Sequence, residues 1–550
     1  MPVSKMKTAR LLAAAAIVAL VATACSGPGN EPEQQGSDTV RIATASFAND
    51  TLDPAIESRG IVLNNLLPMW DTLLEMGEDG SIVPGVATSW EANEDATTWT
   101  FELRDDVEFH NGDMLTAADV KFSIERFIAP EAASTGSGPL RAVIESVEVV
   151  DDYTVVMHLS RPSVSLPYLL SPHENETGII FPSKYMLEEG GPDFASQSAL
   201  LEEAPIGSGP FRFVSRQRGD NIVYEAVEHH WRNTPTFTTL EYLLVPEAAT
   251  QLAMLASGEA DVVELAGDQI GEVEGQGFEV RRAPGSLGVS LQFTGTYRPA
   301  AADKPTADPR VREAISLAIN RAEILETLLA GEGELPTTPW VTGTFSSDIN
   351  PADWADWADD ANAYDLDRAR ELLDEAGYPD GFSGINLFLY TRPGAPWAPA
   401  VGEIIAAQVA EIGVNLTIVP TDYGTYRDHY TNASDDDPYN AGDLTVFATS
   451  LRFAAGGALA TYWLGDGGVV QLMKNADMDA DIQQIDSIVD EADRIDLVRD
   501  VFETANESWL APRLFDVNAL WGVNAENVAP WTSFPGSPAL GRVVETIGQD

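Results

Sequence analysis

Polar and apolar residues alternate along TWTFELRDDVEF, residues 98–109. Trp99, Phe101 and Leu103 share one face of an extended chain, and Thr98, Thr100 and Glu102 share the other. That period of two predicts a half-buried strand, and Arg104-Asp105-Asp106 predicts a turn into a second strand bearing Val107 and Phe109. SVEVVDDYTVVMHL, 146–159, repeats the design around Asp151-Asp152. TVRIATASF, 39–47, reads as a buried strand entering a loop.

Elsewhere the period lengthens to that of a helix. TAADVKFSIERF, 116–127, places Val120, Ile124 and Phe127 on one face behind Thr116 as N-cap. DPRVREAISLAI, 308–319, offers Asp308 as cap, Pro309 at the first helical position, and Val311, Ala314, Ile315 and Ala318 facing inward. YDLDRARELLDEAGYPDG, 364–381, carries a stripe of Leu366, Ala369, Leu372, Leu373 and Ala376, which Gly377 stops. VGEIIAAQVAEIGVNLTIV, 401–419, passes from helix to strand across Gly413, as an α/β unit does. No repeat at solenoid spacing is present.

With 44% hydrophobic residues, 12 Trp and 20 Phe, the chain buries enough to fold, and 550 residues imply more than one domain. Its 86 acidic residues outnumber 32 basic ones. The formal charge of −54 excludes nucleic-acid binding, which needs a basic surface. It reads as a solvated acidic coat suited to a salty or alkaline habitat, ahead of a trap for cationic ligands.

Cys25 is the single cysteine, so no disulfide forms within the chain. Lys5, Lys7 and Arg10 precede the apolar run LLAAAAIVALVA, too short to span a bilayer but suited to a signal peptide. The small residues Ala22, Thr23 and Ala24 lead to Cys25 and resemble a bacterial lipobox, with Ala22 where Leu is usual. That resemblance implies cleavage before Cys25, lipid on its thiol, and export to the outer face of the cytoplasmic membrane. Ser26–Asp38 then reads as a tether.

Motifs for chemistry are scarce. Gly207-Ser208-Gly209 lacks the pattern of a nucleophile elbow, and no phosphate loop or HExxH occurs. His229 and His230 are adjacent, which one helix face cannot use for a metal, and they read as surface residues. Asp477, Asp479 and Asp481 have the spacing of an EF-hand, but Ile482 and Ile488 stand where its Gly and Glu belong. The expectation is a protein that is not an enzyme and holds no metal or cofactor.

TLDPA (51–55), WDTLLEMGEDGSIVPGVATSW (70–90), TWTFELRDDVEFHNGDMLTAADVKFSIERF (98–127) and APIGSGPFRFVSRQRGD (204–220) together resemble the family 5 solute-binding proteins of bacterial ABC importers, the peptide/nickel-binding class. LASGEADVV (255–263), DPRVREAISLAINR (308–321), YDLDRARELLDEAGYPDGF (364–382) and VAEIGVNLTIV (409–419) follow in family order. The resemblance implies an α/β, two-lobed periplasmic-binding-protein-like fold (type II, cluster C), with hinge segments and an extra subdomain in lobe I. Residues 1–24 are then a lipoprotein signal peptide and 25–37 a flexible tether. Lobe I takes 38–288 and 518–550, with a subdomain inserted at about 61–204, and lobe II takes 289–517. The implied function is capture of a peptide-class solute by a monomer, and its delivery to a permease and ATPase complex. The same fold used for sensing, or for an oligosaccharide or metal chelate, is the alternative reading. A secreted hydrolase is the remote one.

In dipeptide-binding relatives an arginine upstream of the helix-ending glycine holds the ligand carboxylate. Arg392, in LYTRPGAPW, stands 21 residues before Gly413 and matches it. Those relatives hold the peptide amine with an aspartate after a strand resembling DLTVFATS. Here Phe453 occupies its place, and no acid lies between Asp443 and Asp466. Free di- and tripeptides are therefore expected to bind weakly, and acidic ligands with a blocked amine to bind better. Trp397, Phe453 and Trp463 are candidates to line an apolar cleft, core packing being the alternative for each. Phe47 and Asn49, in the loop Ser46–Leu52, and Ser208 complete the set of candidate ligand contacts.

Overall fold

The computed structural model describes residues 38–549, apart from 48–49, 57–64, 78–80, 135, 173–176, 340–348, 392–394, 423–424, 427–428, 430–436, 438, 451–453, 466–469 and 532–539. Period-two segments form strands wherever a partner strand is present to take their backbone groups. In chain order these are β1 (Thr39–Thr44), β2 (Leu74–Met76), β3 (Ile82–Pro84), β4 (Ala87–Ala92), β5 (Thr98–Leu103), β6 (Ile144–Asp151), β7 (Thr154–Leu159), β8 (Phe211–Gln217) and β9 (Asn221–Ala226). They continue with β10 (Thr239–Leu244), β11 (Val262–Glu264), β12 (Glu279–Thr294), β13 (Gly333–Glu334), β14 (Phe382–Leu389), β15 (Val414–Pro420), β16 (Asp443–Ser450) and β17 (Arg513–Val523).

One large sheet runs in the order β15-β14-β16-β12-β17-β11-β1-β10-β9-β8, with β13 added to β17. A separate four-stranded sheet, β4-β5-β7-β6, holds the hairpin expected around Asp151. The hairpin expected at Arg104–Asp106 does not form. Both edges of β5 are already taken, by β4 and β7, so Val107 and Phe109 cannot pair with it. They are buried from a loop instead, closed by the Phe109 N–H donating to Asp113 O at 2.9 Å.

The helices follow their apolar stripes. Val120, Ile124 and Phe127 of the helix Ala117–Phe127 are fully buried, and the Thr116 N–H donates to Asp119 Oδ2 at 2.8 Å. Pro309–Leu317 starts with the Asp308 carboxylate accepting from the Arg310 N–H at 2.9 Å. Leu366–Glu375 ends before Gly377 at φ +93°, a left-handed value that only glycine adopts freely.

Apolar side chains gather into two main clusters. One joins residues between Val40 and Ala283 with Trp521–Ile547, and the other lies between Leu287 and Val517. The long antiparallel strands β12 and β17 cross from one to the other. Their ladder shifts register between Ala283 and Leu287, where Pro284 has no N–H to give and Gly285 sits at φ +58°. Asn518 of β17 accepts from the Gly285 N–H at 3.2 Å and so braces this break.

His229 is exposed as expected, but His230 is not a surface residue. Its side chain is 3% exposed and its Nε2 lies 3.3 Å from Asp71 Oδ2. Asp71 is sealed with Arg232, which also grips Glu545 with two nitrogens at 2.9 and 3.0 Å, tying the C-terminal segment to the first cluster. A buried charge needs such partners, so the imidazole turns inward. Burial alone would raise the Asp71 carboxyl, but His230 and Arg232 outweigh it and hold it far below its ordinary range.

Candidate functional site

Strand direction locates the site. β1 runs parallel to β10 and β11, and β11 is antiparallel to β17 with Glu264 opposite Trp521. Trp521 is also opposite Arg281 of β12, so the carboxyl ends of β1 and β11 point along β12 toward the second cluster. There β16 is antiparallel to β12, ending with Ser450 opposite Leu287, and β14 is parallel to β16. The carboxyl ends of β14 and β16 therefore point back at those of β1 and β11. Arg281 to Leu287 separates the two sets, at most about 20 Å of strand. In open α/β sheets, ligands settle outside the carboxyl ends of parallel strands. Here two such rims face one another across the hinge.

Several predicted residues follow these ends. Phe47 comes three residues after β1, and Trp397 leads from β14 into the helix Ala398–Ala410. Phe47 is 3% exposed and belongs to the first core, whereas Trp397 is partly buried against the second, its ring centroid 6.5 Å from that of Phe515. After β16, the Tyr462 hydroxyl donates to Thr449 Oγ1 at 3.1 Å, and Trp463 is core. Arg392, Phe453, Asn49 and Cys25 lie outside the described residues.

Ser208 is placed elsewhere. β8 begins at Phe211, opposite Ala226, which is at the level of the amino end of β1. Gly207 and Gly209 pack so tightly on Met69 that a Cβ would stand 1.9 Å and 2.6 Å from its backbone. His110 seals the turn: its Nε2–H donates to Gly209 O at 2.8 Å, and its Nδ1 accepts from the Gly207 N–H at 3.3 Å. Burial lowers this imidazole to about 4, which keeps it neutral. The Gly-Ser-Gly motif is thus a joint of the scaffold.

The loop after β1 is held by charges that no sequence motif announced. Glu202 accepts from the Leu52 N–H at 3.1 Å and from Arg216 and Arg218 at 2.6 Å each, and the Thr51 hydroxyl also donates to it. Burial pushes this carboxyl up, but Thr51 and Arg216 outweigh that and leave it low. Arg216 reaches on to Asp50 O at 2.8 Å, and Asp50 itself sits at φ +49°. Asp53, within TLDPA, accepts from the Ala55 N–H at 3.0 Å, the Ser198 hydroxyl at 2.6 Å, and Arg126. Burial raises the Asp53 carboxyl despite Arg126. TLDPA, SIERF and FRFVSRQRGD, far apart in sequence, thus converge to fix one rim of the cleft. An Asp or Arg inside an otherwise structural motif was the one hint in the sequence, and its burial appears only in the fold.

A second bridge joins the two clusters without using β12 or β17. Asp486 accepts from the Val164 N–H with its backbone oxygen and from the Ser165 N–H with its carboxylate, both at 2.9 Å. Arg161 lies 3.5 Å from the same carboxylate. Leu166 belongs to the first cluster and Ile485 to the second.

No group of metal-ligating side chains occurs among the described residues, and none of their helices is long and apolar enough to cross a membrane. The model of the family described as bacterial extracellular solute-binding proteins, family 5 Middle, matches residues 81–462. A dipeptide-binding protein of Escherichia coli K12 is 30% identical over 396 residues, 66% of this chain and 67% of that one. A periplasmic binding protein of Helicobacter pylori, solved with the peptide STSA, superposes with TM-score 0.70 at 22% identity, covering 93% of this chain and 98% of that one. NikZ of Campylobacter jejuni, solved with Ni(L-His), gives TM-score 0.72 at 18% identity, covering 93% and 99%. The fold is that of these type II periplasmic binding proteins.

Proposed function

We propose that this chain, which belongs to the bacterial extracellular solute-binding proteins of family 5, takes a peptide-class solute between its two facing rims of strand ends and hands it to the permease of an ABC importer. The observation that carries this reading is the opposition of β1 and β11 to β14 and β16 across strands that break at Pro284-Gly285. Lobe I comprises 38–288 and 518–550, with the four-stranded sheet in a subdomain inserted at about 61–204, and lobe II comprises 289–517. The parting of the cores between Ala283 and Leu287, and between Val517 and Trp521, supports these boundaries.

No bond is made or broken in this cycle. The solute enters the open cleft, its contacts with both rims favour closure, and closure about β12 and β17 withdraws it from water. Arg392 offers a planar pair of donors to a ligand carboxylate, and Asn49, Phe453 and Trp397 supply the remaining surface. Export and a lipid on Cys25 keep the receptor, as a monomer, at the outer face of the membrane beside its permease. Phe453, where an acid holds a peptide amine in relatives, favours a second reading in which the solute is not a peptide. Native mass spectrometry of protein purified from its source decides between them. A co-purified peptide supports the first reading and a chelate or sugar the second. A protein that never carries a solute, and binds none from a peptide mixture, contradicts both.

A further inference from the structure

Glu264 is a carboxylate at the site that nothing yet accounts for. It ends β11, at the rim where β1 also ends, and it is partly exposed along with its neighbours Ala45, Ser46 and Leu265. The Thr44 hydroxyl donates to its Oε1 at 2.7 Å and the Ala45 N–H donates to its Oε2 at 3.4 Å. Its own N–H donates to Gln251 Oε1 at 3.0 Å, which fixes the strand end. Among the described residues, every hydrogen bond to the carboxylate comes from a neutral group, and no Arg, Lys or His forms an ion pair with it. Each oxygen therefore keeps room for another donor.

Most other enclosed acids of this lobe have a cation beside them; Asp119 lacks one too, but four hydrogen bonds from Thr116 and Ser183 fill both its oxygens. Asp53 meets Arg126, Glu202 meets Arg216, Asp71 meets Arg232, and Glu545 meets both Arg232 and Arg542. Burial raises the Glu264 carboxyl, and its two hydrogen bonds do not offset that. A half-buried anion without a counterion is held at some cost, which a cation arriving from outside relieves. The Glu264 carboxylate reaches past the end of β1 to the Ala45 N–H, so it lies at the rim that faces the second cluster, where a solute would arrive.

We propose that Glu264 is a cation subsite of the cleft, receiving a primary ammonium of the bound solute from the lobe I side. The proposal rests on the solute-binding reading above and sharpens it. Without an acid at position 453, a ligand ammonium loses the partner on lobe II, and Glu264 provides one on the opposite rim. It replaces the expectation that free peptides bind weakly. The enclosed carboxylate is unfavourable in the empty receptor and favourable in the loaded one, which couples its charge to occupancy.

The test is calorimetry on the full chain with three probes: Ala-Phe-Ala, its N-acetylated form, and Ac-Ala-Lys-Ala. It compares wild type with Glu264→Gln, a variant that keeps an oxygen for Thr44. If the terminal ammonium is the ligand group, acetylation weakens binding of Ala-Phe-Ala to wild type by at least about tenfold, roughly one lost charge-assisted contact. Glu264→Gln then weakens the free peptide by a similar factor and leaves the acetylated one unchanged. If a side-chain ammonium is the ligand group, Ac-Ala-Lys-Ala shows the Glu264 dependence instead. Because no described cation pairs with Glu264, the empty variant should melt no lower than wild type. Acetylation effects that survive in Glu264→Gln overturn the proposal while leaving the receptor reading intact. A variant that loses affinity and also melts lower overturns it in favour of a structural role. Failure of all three probes to bind wild type overturns the peptide-class reading and this proposal with it.

Discussion

Asp486→Ala should loosen the bridge between the two clusters and, with it, the closed form of the receptor. Its carboxylate accepts from the Ser165 N–H at 2.9 Å and lies 3.5 Å from Arg161, whose side chain is 44% exposed. A hydrogen bond to a charged acceptor contributes about 1.5–3 kcal/mol, and a pair this exposed adds about 0–1 kcal/mol. The backbone bond from the Val164 N–H to Asp486 O survives the substitution. About 2 kcal/mol is a fair expectation, equivalent to a shift of about thirtyfold toward the open form. Where the free protein is mostly open, solute affinity falls by the same factor, since closure is part of binding. Calorimetry should show that loss; where the free protein is mostly closed, small-angle X-ray scattering of the empty protein should instead show a larger radius of gyration. Unchanged scattering together with unchanged affinity would refute the idea that this bridge holds the lobes.

Other outcomes follow from the scaffold. His110 titrates at about 4 in the fold against 6.5 when free, so the folded state binds fewer protons between those values. Its stabilising contribution is complete above about pH 6.5 and is lost as pH falls toward 4, on the order of 3 kcal/mol; urea melts should show this slope, and His110→Asn should flatten it. Arg126→Ala leaves Asp53 buried without its cation, where the pair is 2% and 0% exposed, and should cost about 3–5 kcal/mol; a loss under about 1 kcal/mol in urea unfolding contradicts the assigned role. Cys25→Ser should abolish lipid labelling and membrane retention, and a variant still floating with salt-washed membranes would show that the lipobox resemblance misleads. With a formal charge of −54, the protein should melt higher in about 2 M than in about 0.1 M KCl, and a lower melting temperature in the higher salt counts against charge repulsion as a dominant strain.

Element type was readable wherever the apolar period was long. The helices at 117–127, 309–317 and 366–375 have both their caps and their buried faces written locally. Pairing was not, because an edge is free or occupied according to strands far away in sequence. That is why β5 took β4 and β7 as partners instead of residues 107–109. The register break was hidden for a similar reason: the family resemblance placed the lobe boundary near 288, but the bulge at Pro284-Gly285 appears only when β17 is laid alongside. Glu264, Glu202 and His230 were lost among the many acids and surface-like polar residues of this chain. What marks them is enclosure, and the Asp53–Arg126 contact, 73 residues apart, is a property of the packed state alone.

The central claim is that solute binds between the rims formed by β1 with β11 and β14 with β16. A crystal structure of the protein purified from its source with its natural solute tests it directly. The solute should lie between the Thr44–Phe47 and Glu264 side and the segments that follow Leu389 and Ser450, touching both. Density for a solute confined to one lobe, or lying at the amino ends of these strands near Ser208, would contradict it.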